Sequence, residues 1–206
     1  MLTHLFTDPF STLVTIFAFI IAITIHEYAH AWAATRLGDS LPESEGRLSL
    51  NPLAHLDPVG SLSILIAGFG WGKPVRYNPS AFANRSAEVV VALAGPISNL
   101  GLALLVNLLS TGLSRISGFE AALQVGGVIV SINVLLAAFN LLPLPPLDCS
   151  AIVAYFFPAY RSGRAVMIGS FALIGSIVLF PGLLYTLIHP VIRVFTWLIS
   201  LGGWLV

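Results

Sequence analysis

Charge is scarce in this sequence: the four ionised residue types together make up 9% of its 206 residues. A soluble domain of this size carries about 25% charged residues, so the deficit excludes a water-soluble globular protein. Nine basic residues balance nine acidic ones, which excludes a basic surface for nucleic acid. Hydrophobic residues make up 57% of the chain. We therefore predict a membrane protein that crosses the bilayer several times.

Cysteine is nearly absent as well. Cys149 is the single thiol, which excludes a disulfide bond within the chain. The N-terminal residues lack the basic segment that opens a secretory signal peptide, and the first apolar run is too long for the hydrophobic part of such a peptide. We therefore expect the first helix to be retained as a membrane anchor.

Five apolar stretches have lengths and compositions suited to transmembrane helices. They cover residues 10–37, 86–113, 121–142, 165–180 and 183–205. Asp8 followed by Pro9 is typical of a helix start, and Gly38 is suited to the end of the same helix. The sequence contains no repeat and no second domain, so residues 1–206 are expected to form a single transmembrane domain.

Residues 38–85 differ from the rest because glycine, proline and asparagine recur there and interrupt helices. Gly46–Leu50 and Lys73–Tyr77 each predict a short strand, and together they predict a small β-hairpin-like element. Val59–Phe69 is apolar but too short to span a bilayer, which predicts a re-entrant or interfacial segment. The expected fold is therefore an all-α polytopic membrane protein with about five transmembrane helices.

The basic residues predict the orientation of the chain in the membrane. Most of them lie in two loops that are an even number of crossings apart, namely Arg36, Arg47, Lys73, Arg76 and Arg85 after the first span and Arg161 and Arg164 after the third. Arg115 lies on the opposite side. Because basic loops face the cytoplasm, we expect the N-terminus outside and the C-terminus in the cytoplasm.

The stretch His26-Glu27-Tyr28-Ala29-His30 places three ionisable side chains inside an apolar run. A helix advances about 100° per residue, so the two histidines lie on one face, one turn apart. Two imidazoles at this spacing can bind one metal ion, and Glu27 lies beside them to handle a proton. A chance HExxH is common in soluble proteins, but ionisable groups in a membrane-grade helix are costly and mark function.

A catalytic zinc ion usually has three protein ligands and one open position, so a third ligand is needed from elsewhere. The acidic residues outside the motif are Asp8, Asp39, Glu43, Glu45, Asp57, Glu88, Glu120 and Asp148. Asp148 is the best candidate, because it follows a transmembrane segment between Leu147 and Cys149, where an unpaired carboxylate is costly. The alternative is that Asp148 caps an interfacial helix.

Three motifs occur together in this order: HExxH at His26, a Gly-Pro-x-x-Asn stretch that begins at Gly95, and the sequence from Asn140 through Asp148, which matches NxxPxPxLD. With their spacing and membrane context, they make the chain resemble the site-2 protease family of intramembrane zinc metalloproteases. The resemblance covers nearly the whole chain. The loop segments 46–52 and 70–75 are similar to the short bacterial and archaeal branch of that family, which has no PDZ or CBS domain.

This resemblance implies that His26, His30 and Asp148 bind one zinc ion and that Glu27 is the catalytic base. It also implies a protein of a prokaryotic cell membrane that cleaves locally unwound membrane-spanning helices. The orientation predicted from the basic residues places the active site toward the cytoplasm. The family's glycine after the aspartate is Cys149 here. A side chain at that position is expected to push neighbouring elements slightly apart, and the alternative is that Cys149 is an additional metal ligand.

Further candidates lie near these motifs. Asn140 and Asn99 are amides on apolar helices, which either bind the oxyanion and the substrate backbone or tie helices together by hydrogen bonds. His55 and Asp57 lie in the loop, where they either assist the metal or cap the loop backbone. The strand predicted at Lys73–Tyr77 suggests an edge that holds an unwound substrate by backbone pairing.

Three classes of function remain open on the sequence. The first is an intramembrane zinc endopeptidase whose partners are transmembrane protein substrates and the lipid bilayer. The second is a membrane zinc protease that works in a soluble domain, which the absence of such a domain disfavours. The third is a weakened or inactive homologue that binds membrane clients or metal; Glu27 argues against this class, and Cys149 argues slightly for it. The sequence does not indicate an oligomeric state.

Overall fold

A computed structural model of the chain describes residues 7–67, 70–119 and 121–200. The α-helices in these ranges are α1 (Pro9–Arg36), α2 (Leu41–Ser44), α3 (Pro58–Ala67), α4 (Ala87–Leu113), α5 (Ala122–Asn140), α6 (Cys149–Phe156), α7 (Gly163–Leu179) and α8 (Pro181–Ile199). Single 3-10 turns occur at Pro52–Ala54, Pro79–Ala81 and Pro158–Arg161. The described part of the chain is therefore mainly helical, as the sequence predicted.

Four helices of the described chain are long and apolar enough to cross a membrane: Pro9–Arg36, Ala87–Leu113, Ala122–Asn140 and Gly182–Ile199. The stretch predicted as a span at 165–180 lies in α7, which has 17 residues and rises about 26 Å, less than the roughly 30 Å of a bilayer core. A crossing by α7 stays a prediction, and the predicted end of the last span at 205 lies outside the described residues.

Helices α1, α4 and α5 pack against one another and form the core of the bundle. Small side chains bring α1 close to its neighbours, since Ala18, Ala22, Ala31 and Ala34 are fully buried. Close approach of small residues favours helix association in lipid, where burial of apolar surface drives little association. Helix α6 packs on α4, and α8 contacts both α4 and α5. The middle of α1 therefore lies at the centre of the molecule.

The strands predicted at Gly46–Leu50 and Lys73–Tyr77 do not form. Strand-like pairing in the described residues is limited to a single antiparallel bridge between Leu56 and Gly72. The reason is that side chains bind the backbone groups of the second segment. The carboxylate of Glu27 accepts a hydrogen bond from the N–H of Val75, which leaves no continuous ladder for a neighbouring strand.

The predicted re-entrant segment, Val59–Phe69, coincides with α3 over residues 59–67, whereas Gly68 and Phe69 lie outside the described residues. Helix α3 has 10 residues and therefore rises about 15 Å, too short to cross a bilayer. It lies directly against the chain that follows it, because a Cβ on Gly60 would come within 2.1 Å of the carbonyl oxygen of Trp71. Its depth in the membrane stays a prediction.

Candidate metal centre

Two imidazoles meet in the middle of the bundle core. His26 and His30 lie one turn apart on α1 and are 4% and 7% exposed. Their Nε2 atoms are 3.1 Å apart. The helix period therefore brings both rings to one point, as the sequence predicted from their spacing.

Asp148 reaches the same point from a distant part of the chain. Its Oδ2 lies 3.0 Å from Nε2 of His26 and 3.3 Å from Nε2 of His30. The residue directly precedes α6, yet its side chain makes no capping hydrogen bond to that helix. The carboxylate faces the histidines instead, which favours the ligand hypothesis over the capping alternative.

Contacts between α4 and the region of α6 hold Asp148 in this position. Arg85, just before α4, donates a hydrogen bond of 2.6 Å to the carbonyl oxygen of Ala154 in α6. Glu88, in the first turn of α4, is buried and pairs at 2.8 Å with Arg161, which follows α6. Since α4 also packs along α1, this helix is the common support of the histidines and the aspartate.

Hydrogen bonds on the far side of each ring determine which nitrogen carries the proton. Nδ1 of His30 lies 2.7 Å from the carbonyl oxygen of Val91, which can only accept. Nδ1 of His26 lies 2.6 Å from Oδ1 of Asn99, whose amide nitrogen already donates to Asn133. In the neutral imidazoles both Nδ1 atoms therefore donate, which directs both Nε2 lone pairs toward Asp148.

This set of donor atoms fits a metal ion. The two imidazole nitrogens and a carboxylate oxygen of Asp148 lie within 4.8 Å of one another, and their lone pairs repel unless a cation lies between them. Oδ2 of Asp148 is buried and has no hydrogen-bond donor among the described residues, which is costly in an apolar interior. Two histidines and one carboxylate are also the ligand set of many catalytic zinc sites.

Glu27 lies next to His26 in the chain, and the loop after α1 holds its carboxylate. Oε2 accepts a hydrogen bond of 3.0 Å from the backbone N–H of Val75. The same oxygen lies 3.6 Å from the guanidinium of Arg47. Glu27 is 9% exposed. The group that the sequence assigns to proton transfer is therefore buried and fixed in orientation, one residue from a candidate ligand.

Gly95 of α4 lies directly against the two imidazoles. A Cβ at this position would come 2.4 Å from Nε2 of His30 and 2.6 Å from Cε1 of His26, which no side chain can occupy without displacing the rings. The Gly-Pro-x-x-Asn stretch therefore has two roles at the centre. Gly95 makes room for the histidines, and Asn99, about one turn later, binds the far side of His26.

Sequence reasoning missed Asn133 of α5. This residue is fully buried, and its Oδ1 accepts a hydrogen bond of 2.8 Å from Asn99. The chain of contacts from His26 through Asn99 to Asn133 thus joins three helices. A second amide within an apolar segment was the available signal, because such groups are costly in a membrane.

The two amides proposed from sequence have different surroundings. Asn99 uses its amide oxygen and nitrogen within the protein, which favours its helix-tying role over oxyanion binding. Asn140 donates a hydrogen bond of 3.0 Å to the carbonyl oxygen of Leu136 in its own helix. A role for Asn140 in binding the oxyanion or the substrate stays a prediction.

We expect Asn133→Ala to weaken binding of a divalent metal about 10- to 100-fold, because Asn99 keeps only one of its two hydrogen-bond acceptors and therefore orients His26 less firmly. Asn107→Ala is the matched control, since Asn107 lies about two turns after Asn99 and donates instead to Ile199. Competition with a chromophoric chelator measures both affinities. Equal affinity in the two variants would contradict the orienting role of Asn133.

His55, Asp57 and Cys149 do not join the cluster of candidate ligands in the described ranges. His55 is fully buried and its Nε2 lies 2.6 Å from the carbonyl oxygen of Ser49; burial lowers its pKa below the ordinary value. Asp57 accepts a hydrogen bond of 2.8 Å from the N–H of Gly60. Both contacts favour the loop-capping interpretation. Cys149 is partly buried and begins α6.

Fold and site together define a helical membrane protein with a buried centre of two histidines and one carboxylate. Its relatives include proteins named "Putative zinc metalloprotease". YwhC of Bacillus subtilis (strain 168) is 41% identical over 168 residues, which are 78% of this chain and 77% of that protein. Rip2 of Mycobacterium tuberculosis (strain ATCC 25618 / H37Rv) is 32% identical over 191 residues, which are 89% of this chain and 72% of Rip2.

The chain therefore belongs to the zinc metalloprotease family of YwhC and Rip2. Rip2 of Mycolicibacterium smegmatis is a further relative, 33% identical over 144 residues, which are 66% of this chain and 54% of that protein. No protein-family model and no solved structure matches the chain.

Proposed function

We propose that the chain is an intramembrane zinc endopeptidase of the site-2 protease type, which cleaves membrane-spanning segments of other proteins. The observation that carries the proposal is the convergence of His26, His30 and Asp148 within a bundle of helices apolar enough to cross a bilayer. The names of the relatives support zinc as the metal. We expect one zinc ion per chain, because the cluster offers three ligands around a single point.

The residues of the site have distinct parts in peptide hydrolysis. A bound zinc ion would polarise the scissile carbonyl and lower the pKa of a water molecule toward about 7. His26 and His30 present their Nε2 lone pairs because their Nδ1 atoms are held by protein oxygens. Asp148 would supply a negatively charged oxygen ligand to the zinc ion. Glu27 accepts the proton of the attacking water and passes it to the amine that leaves.

The proposed substrates are transmembrane helices that have been locally unwound, as in regulated intramembrane proteolysis. A peptide bond in a helix has its carbonyl engaged in a hydrogen bond, so it resists attack until the helix opens. The lipid bilayer is the other proposed partner, and nucleic acid is not one. The segment Lys73–Tyr77 forms no strand in the free protein. Its pairing with an unwound substrate therefore stays a prediction.

The proposed location is a prokaryotic cell membrane, which the bacterial relatives support. The distribution of basic residues supports an N-terminus outside and a C-terminus in the cytoplasm. In this orientation the C-terminal end of α1 faces the cytoplasm, and the metal centre lies toward that side. Attaching a reporter enzyme that is active on one side only to residue 118, in the loop after α4, tests the orientation, because we expect this loop outside the cell.

The experiment that tests the proposed function uses the full chain in lipid vesicles with a single-span substrate whose helix carries a central Asn-Gly pair. We expect zinc-dependent cleavage, with the cut inside the membrane-spanning segment. Removal of zinc by a chelator should stop cleavage, and added zinc should restore it. A cut only in the soluble flanks, or equal cleavage without metal, would contradict the proposal.

A second candidate is a homologue that binds membrane clients or metal with weakened or absent catalysis. Cys149 is the observation that favours it, because the resemblance to site-2 proteases implies glycine at this position, directly after Asp148 at the start of α6. In the same vesicle experiment the inactive form of this candidate predicts bound zinc without cleavage. Cleavage by the wild-type protein would exclude that form.

A further inference from the structure

Arg47 is a buried cation in the loop between α1 and α3. It is 2% exposed, although arginine is rarely buried without a partner. Its guanidinium donates hydrogen bonds to the carbonyl oxygens of Ala54 and Lys73 and lies 3.6 Å from Oε2 of Glu27. Burial lowers the pKa of Arg47 below its ordinary value, and the carboxylate of Glu27 opposes this effect.

The shape of the guanidinium explains why arginine occupies this position. Its planar group carries five N–H donors in a fixed arrangement, so one side chain can bind oxygens in different directions. Ala54 and Lys73 lie on the two sides of α3 in the sequence. Arg47 therefore joins the two loop sections that flank this helix, at the point where both approach Glu27.

Hydrogen bonds hold the backbone around Lys73 at three groups: its N–H, its carbonyl oxygen and the N–H of Val75. The N–H of Lys73 donates a hydrogen bond of 2.7 Å to the carbonyl oxygen of His55, and its carbonyl oxygen accepts from Arg47. Two residues later, the N–H of Val75 donates to Oε2 of Glu27. Arg47 thus acts on Glu27 directly through its charge and indirectly through the placement of Val75.

The two carboxylate oxygens of Glu27 have different neighbours. Oε2 has both the N–H of Val75 and the guanidinium of Arg47 beside it. Oε1 instead faces Gly72, where an added Cβ would lie 3.3 Å from it. That Cβ would also lie 2.7 Å from Cγ2 of Ile23, so the chain passes this close to Glu27 only because residue 72 is glycine. One oxygen of the carboxylate is therefore anchored, and Oε1 accepts no hydrogen bond from the described residues.

We propose that Arg47 is a positioning residue for Glu27: together with the N–H of Val75 it anchors Oε2, so that Oε1 accepts the proton during hydrolysis. This inference rests on the proposed function, because it assigns Glu27 the role of catalytic base. An unanchored carboxylate rotates among several conformers, and a fixed one spends more time in the orientation that reacts. Loss of Arg47 should therefore lower kcat and leave KM unchanged.

The test measures kcat, KM and bound zinc for cleavage of the single-span substrate by Arg47→Gln and Arg47→Lys. We expect kcat to fall about 10- to 100-fold in Arg47→Gln, with KM and zinc unchanged. This loss is smaller than the roughly 10²- to 10⁴-fold that general-base catalysis contributes, because Glu27 itself is still present. Arg47→Lys should recover part of kcat, because it restores the charge but cannot bind both carbonyl groups. Arg76→Gln is the matched control, since its side chain is 79% exposed and pairs with Glu45.

A double-mutant cycle shows whether Arg47 acts through Glu27. In the Glu27→Gln protein, adding Arg47→Gln should cause no further loss of residual activity, because the group it positions is already absent. An equal further loss would overturn the proposal. A rise in KM at constant kcat would also overturn it, since that result assigns the loop to substrate binding.

Two further outcomes have different consequences: a variant that does not fold, and a wild-type protein that does not cleave. If Arg47→Gln does not fold, Val75→Pro decides instead, because proline removes the N–H that binds Oε2; unchanged kcat in that variant overturns the proposal. If the wild-type protein does not cleave the substrate, the proposed function itself fails. Cleavage by the wild type with full kcat in Arg47→Gln overturns only the role of Arg47.

Discussion

Glu27→Gln is expected to lose peptide cleavage by a factor of about 10² to 10⁴ while the protein keeps its bound zinc. The amide preserves the size of the side chain but cannot accept the proton of the attacking water. Glu27 is not one of the three residues that meet at the candidate metal centre, so its substitution leaves the ligands in place. Rate measurements in lipid vesicles and elemental analysis of the same preparation give both quantities.

The control for this variant is the wild-type protein carried through the same purification, because both must contain equal zinc for the comparison of rates to be valid. Val75, which donates to Oε2 of Glu27, can also donate to an amide oxygen, so the loop should keep its structure in Glu27→Gln. Turnover close to that of the wild type would remove Glu27 from the mechanism.

Gly95→Ala is expected to abolish metal binding and cleavage together. The added methyl group would lie 2.4 Å from Nε2 of His30 and 2.7 Å from Nε2 of His26, the two nitrogens that face the metal. Either the rings turn away or α4 moves from α1, and overpacking of this kind costs about 1–3 kcal/mol. In both cases the three ligands no longer meet. Zinc content and the thermal unfolding midpoint measure the two effects separately.

Gly101→Ala is the matched control on the same helix, because a Cβ at that position would meet no atom within 4 Å. It should retain zinc and activity, and it should gain slightly in stability, since alanine favours helices more than glycine does. Stoichiometric zinc in Gly95→Ala would show that the helices separate without cost and would contradict the packing of the centre.

The convergence of His26 and His30 could be predicted because the helix period is local: residues four apart always share a face. Asp148 could be predicted as the third metal ligand, because a carboxylate beside a transmembrane segment needs a partner. The structure brings its Oδ2 to 3.0 Å from His26. Its approach depends on α4, which contacts both α1 and α6, and no local pattern in the sequence indicates that arrangement.

The roles of Arg47, Gly72 and Asn133 could not be predicted, because each depends on a partner far away in the chain. Arg47 looked like an ordinary basic residue of a cytoplasmic loop, yet it is 2% exposed and faces Glu27. The prediction of strands at Gly46–Leu50 and Lys73–Tyr77 failed for the same reason. Their composition suits strands, but buried side chains bind backbone groups that a strand would pair: His55 binds the carbonyl oxygen of Ser49 in the first segment, and Arg47 and Glu27 bind backbone groups of the second.

The most direct test of the three-ligand zinc centre is to measure the zinc content of the wild-type protein and of Asp148→Asn, together with cleavage of the single-span substrate. The amide keeps the shape of the side chain but removes the charge that the metal requires. We expect one zinc ion per chain and zinc-dependent cleavage in the wild type, and the loss of both in Asp148→Asn. Stoichiometric zinc with full turnover in Asp148→Asn would contradict this expectation and would assign the third ligand elsewhere.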